Sequence, residues 1–80
     1  MHETHLIEPV IRGIQAHAVK EGGSKVTRVR LKVGYLAGAR EDSFKETFAI
    51  LAKGTLLEGA SLELVFFPGT RVEVVSFDVD

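Results

Sequence analysis

The chain has 80 residues, enough for one domain near the lower size at which a single apolar core suffices. Its 45% hydrophobic and 26% charged content is that of an ordinary globular protein, and the lack of cysteine excludes disulfides, thiolate zinc sites and cysteine nucleophiles. A formal net charge of -1 supplies no field to draw nucleic acid or an anionic membrane, so neither is expected as a partner.

The chain opens with Met1-His2-Glu3. The α-amine of Met1, the backbone nitrogen of His2 and the His2 imidazole lie close together, and a divalent metal held by all of them closes two fused chelate rings. Planar nitrogen donors suit Ni(II) or Cu(II) better than Mg(II) or Ca(II). Glu3 adds a carboxylate as a further ligand or a counter-charge. The bulk of His2 disfavours enzymatic removal of the initiator Met, which keeps the amine on Met1. The plain alternative is that a His at position 2 is chance. His2-Glu3-Thr4-His5 is not the zinc-protease motif, whose second His comes one residue later.

From about His5 to Glu21, Ile7, Val10, Ile11, Ile14 and Ala18 recur at helical steps and mark one apolar face. Pro9 is comfortable if the regular helix begins near Glu8, so an irregular first turn is expected. Gly22-Gly23-Ser24 ends the helix, and Lys20 suits the negative end of its dipole. Along Lys25 to Leu36, Val29, Leu31 and Val33 alternate with Arg28, Arg30 and Lys32, the pattern of a half-buried strand. The basic row reads as a solvent face rather than a phosphate stripe, because no aromatic residues interleave with it. Gly34 to Ala39 turns the chain, and the acids of Glu41-Asp42-Ser43 suit a helix start. Phe44, Thr47, Phe48 and Leu51 form the next helical stripe, closed by Gly54. A turn from Leu56 through Glu58-Gly59-Ala60 precedes an apolar strand, Ser61 to Phe67. Pro68-Gly69 is a turn dipeptide, and Thr70 to Val79 is a last strand with a bulge expected near Val74-Val75, where the alternation shifts.

The order α-β-α-β-β predicts an α+β fold, a two-layer sandwich with two helices on one face of a three-stranded mixed sheet. The last two strands are expected to pair as an antiparallel hairpin, with a right-handed crossover through the second helix if the first two are parallel. No apolar run approaches the length of a membrane span, and the N-terminus lacks a basic-then-apolar leader, so a cytoplasmic protein is expected. Of the other histidines, His5 reads as a solvated first-turn residue able to approach a metal beside His2, and His17 as a partly covered surface residue. No serine sits in a nucleophile motif and no Gly-rich phosphate loop occurs, so an enzyme is not expected.

Met1-His2-Glu3, the apolar first helix, the strand Arg30-Leu31-Lys32-Val33-Gly34, the Phe44 to Phe48 helix and the run Gly54 to Leu62 together resemble the HypA/HybF nickel-incorporation proteins of NiFe-hydrogenase maturation. The terminal strand Thr70 to Val79 is similar to that family's closing strand. The resemblance implies a nickel metallochaperone that delivers Ni(II) to a hydrogenase large subunit with a nickel-insertion GTPase as partner. It also implies a nickel site at Met1, His2 and Glu3. The family places a zinc-binding segment with two Cys-x-x-Cys pairs between its last two strands, whereas here Phe67-Pro68-Gly69-Thr70 closes the gap directly. Residues 1–80 are therefore expected to be a single nickel-binding-type domain, with the zinc module absent between about 67 and 70 and no zinc bound. Where some members carry an acid that assists nickel, this chain has Arg40, followed by Glu41 and Asp42. These departures motivate an alternative, a protein-interaction module that keeps the fold without handling metal. A sheet edge or the basic strand face could pair two copies into a homo-oligomer.

Overall fold

The computed structural model describes residues 2–80, with His2 described by its backbone alone. Its elements are α1 (His2–Lys20), β1 (Val26–Gly34), a 3-10 turn (Tyr35–Ala37), α2 (Glu41–Ala52), β2 (Ser61–Phe67) and β3 (Val72–Val79), in the expected α-β-α-β-β order.

Helix α1 starts earlier than its pattern suggested and runs through Pro9 without a break. Its first turns are fixed by tertiary contacts. Glu3 and Ile7 are buried, and with Ile11, Ile14 and Ala18 they form one stripe at three- and four-residue steps. Proline removes one helical hydrogen bond, to the carbonyl of His5, but Pro9 and His5 are both exposed, so water can satisfy that oxygen. At the other end Gly22 takes a φ of 78°, while the Gly22 and Gly23 amides donate to Val19 O (3.0 Å) and Ala18 O (2.9 Å). That is a Schellman stop, and it turns the chain directly into β1.

The sheet order is β2-β1-β3, with β1 parallel to β2 and antiparallel to β3. The expected hairpin of the last two strands is therefore corrected: β1 lies between them. The most apolar row of the sheet decides this, since Val26, Val29, Leu31 and Val33 of β1 are all at most 1% exposed and take the centre. The link from β2 to β3 must then cross the end of β1. Two strand spacings of about 4.8 Å leave a gap of roughly 10 Å, which residues 68–71 can span at about 3.3 Å each. The crossing is tight. A Cβ on Gly34 would lie 2.3 Å from the Gly69 carbonyl carbon, and the Gly34 amide donates to Arg71 O at 2.8 Å. The β1–β3 register shifts between Arg30 and Leu31, leaving Val75 unpaired as the bulge residue foreseen from the alternation.

Both helices cover the face of Val29, Leu31 and Val33, where Phe44 and Phe48 of α2 meet the α1 stripe in one core. Leu57, within the turn after α2, is fully buried and completes that core. The opposite face carries Arg28, Arg30 and Lys32, matched by acids on both flanks. Glu63 lies 3.5 Å from both arginines, Arg30 donates to Asp78 at 3.3 Å, and the Lys32 ammonium sits 5.0 Å from the Phe67 ring centre. The basic row is thus a neutralised solvent face.

Candidate metal centre

The first turn of α1 lies against the start of α2. The two helices run side by side in the same direction, with Glu3 meeting Ser43 near their starts and Gln15 accepting a 2.8 Å hydrogen bond from the Leu56 amide beyond the end of α2. Both positive helix ends therefore converge on one edge of the molecule, which suits a carboxylate placed between them. Glu3 occupies that place. Its Oε2 accepts 2.7 Å from the Ser43 hydroxyl and 3.3 Å from the backbone amide of Arg40, the N-cap residue of α2. Glu3 is 8% exposed, and no fully buried side-chain nitrogen or oxygen among the described residues lacks a partner.

Met1 and the His2 side chain lie outside the described residues. The His2 backbone begins α1, and the first amides of a helix have no carbonyl partner within it. A metal bound at the His2 amide nitrogen would accordingly displace no helical hydrogen bond. A deprotonated amide there would also place negative charge at the end of the helix that favours it.

The other residues weighed as ligands are dispersed or engaged. His5 is exposed on α1. Glu41 pairs with Lys45 at 3.3 Å. Asp42 accepts the Ser43 amide at 2.8 Å and lies 4.0 Å from the Arg40 guanidinium. His17 sits far along α1, bonded to Glu21 at 2.9 Å with its ring edge-on to Phe77 at 5.5 Å. Among the described residues no three His, Cys, Asp or Glu side chains converge on one point. Of the expected nickel triad, then, only Glu3 has a described side chain, and it faces inward onto α2. The resemblance places Arg40 near the motif, but neither its amide as the contacting group nor Ser43 follows from that resemblance. The signal was present in the spacing, since Glu3 lies four residues before Ile7 on the buried stripe.

A family model described as "Hydrogenase/urease nickel incorporation, metallochaperone, hypA" matches residues 1–72. The chain is 45% identical over 69 residues to the hydrogenase maturation factor HypA of Beijerinckia indica, covering 86% of this chain and 61% of that protein. It is 38% identical to the Rhodobacter capsulatus HypA over the same shares of the two chains. It thus spans about three fifths of the length of these curated relatives. The solution structure of the Ni metallochaperone HypA from Helicobacter pylori superposes with a TM-score of 0.82 at 17% identity, covering 99% of this chain and 97% of that one. A second HypA solution structure gives 0.78 at 18% identity, over 99% and 96% of the two chains. At these identities the structures attest the fold.

Proposed function

This chain belongs to the HypA family of hydrogenase and urease nickel-incorporation metallochaperones, and on that premise we propose that it carries Ni(II) through Met1, His2 and Glu3 for the maturation of a NiFe-hydrogenase. The observation that carries the reading is that the family match begins at residue 1 and so includes the chelating motif. Met1 supplies the amine, and His2 its amide nitrogen and imidazole. Glu3 fixes the first turn of α1 against α2 through Ser43 and the Arg40 amide, and its charge offsets that of the cation. The cargo passes in the cytoplasm to a hydrogenase large subunit, with a nickel-insertion GTPase as helper.

Residues 1–80 act in this reading as a single nickel-binding domain that holds no zinc. In support, the chain has no cysteine, and residues 68–71 alone join β2 to β3. The family match also stops at Val72, the first residue of β3.

Nickel titration calorimetry of the His2→Ala variant tests the site. The expected outcome is loss of one-to-one Ni(II) binding with an unchanged thermal midpoint, because the imidazole anchors the chelate. Equal binding by that variant would overturn the assignment. Since the chelate needs a neutral α-amine and a neutral imidazole and displaces an amide proton, binding weakens as pH falls below about 8, the reference α-amine value, and further below about 6.5, the reference imidazole value.

A further inference from the structure

The two edges of the sheet differ in a way that points to a partner. On β3 the bulge at Val75 interrupts the strand, and Glu73 and Asp78 charge it, devices that discourage edge pairing. β2 lacks the bulge and carries half the charge. Its seven residues pair with β1 in unbroken register from Ser61 to Phe67, none is buried, and its one charge is Glu63. Among the described residues its outer edge has no strand neighbour.

We propose that the outer edge of β2 is a self-complementary interface through which two copies of this chain pair antiparallel, centred on Leu64. The charge pattern selects this partner and this register. With Leu64 opposite its own copy, Leu62 faces Phe66 of the second copy and Glu63 faces Val65, so the two like charges are not opposed. Leu62, Leu64 and Phe66, each half-buried and packed on the core, then form one apolar row across both copies on the helix side. On the open side Glu63 keeps Arg28 and Arg30, so no charge loses its partner. Shifting the centre by one residue to Glu63 would set the two Glu63 carboxylates against each other. Shifting it to Val65 would set Glu63 against Phe67. The result is an isologous two-fold dimer with a six-stranded sheet and all four helices on one face.

Sedimentation equilibrium of the full chain over a concentration series, with charge variants at Val65, tests the register as well as the association. Val65 is 60% exposed and sits beside Lys32 of its own β1. Val65→Lys places a cation opposite Glu63 of the second copy and should tighten the dimer. Val65→Glu should loosen it. Two equivalent pairs per dimer predict a shift in Kd of roughly 2- to 30-fold each way. Monomer stability should move oppositely, because beside Lys32 a glutamate is favourable and a lysine is not, so a merely structural effect is distinguishable. A monomer at all concentrations, or a dimer indifferent to both substitutions, would overturn the proposal.

Discussion

At the scale of single residues, the informative one is Glu3. A carboxylate in a chelating motif is read first as a ligand, yet here it is buried and holds two donors of α2 at 2.7 and 3.3 Å. Its position on the apolar stripe gives it an employment in the fold, beside the counter-charge to the cation that the proposed nickel site assigns to it. Ser43→Ala removes the shorter bond and should cost about 1.5–3 kcal/mol in urea unfolding, the range for a hydrogen bond to a charged group. Glu3→Gln can still accept from Ser43 and should be better tolerated than Glu3→Ala, which leaves the Ser43 hydroxyl and the Arg40 amide without this partner. If Ser43→Ala unfolds at the wild-type urea midpoint, the tether contributes nothing to the fold.

At the scale of elements, the crossing at Gly34 holds the sheet order. Gly34→Ala drives a methyl group into the backbone of Gly69 and Thr70, at 2.3 and 2.6 Å, where no flexible side chain can yield. We expect a loss of roughly 2–4 kcal/mol, at or above the usual cost of overpacking, measurable by thermal or urea unfolding. A loss below about 0.5 kcal/mol would show that the link can lift away. This crossing also marks the limit of what the chain's pattern revealed. Periodicity located both α-helices, β1 and β3, an apolar run located β2, and the switch from Val74 to Val75, Phe77 and Val79 located the bulge. Period-two alternation reports which face of a strand is buried but says nothing of its lateral neighbours. The hairpin was therefore the default for strands joined by Pro68-Gly69, and the burial of β1 on both flanks overrode it. Pro9 misled in the same manner, because local backbone rules cannot count the packing of Ile7 and Glu3. At the site, the motif itself was plain in the sequence, while its support from α2 arises only when the helices lie parallel.

At the scale of the whole molecule, a small domain has one core and little reserve. Total stability of about 4–12 kcal/mol is expected for this length. Phe44 is fully buried between the helices and the sheet, so Phe44→Ala should remove about 3–5 kcal/mol and lower the thermal midpoint by more than about 10 °C. A smaller drop by calorimetry would mean that the core closes over the lost ring. The fold brings the starts of both helices and the end of β1 to one edge, where Glu3 is tied to α2 through Ser43 and the Arg40 amide. In the proposed carrier, Met1 and His2 precede that tethered carboxylate in the chain, and loading their nitrogen donors asks for no unfolding of the core. By the Irving-Williams order the same donors should hold Cu(II) more tightly than Ni(II), a second check on their nitrogen character.

The most direct measurement is a Ni(II) titration by calorimetry of the protein with a free Met1 amine beside the same protein with one residue added ahead of Met1. A one-to-one isotherm that disappears on extension is the predicted result, because the added residue takes the amine out of the chelate. Equal binding by the two proteins would contradict the account and move the metal away from the N-terminus.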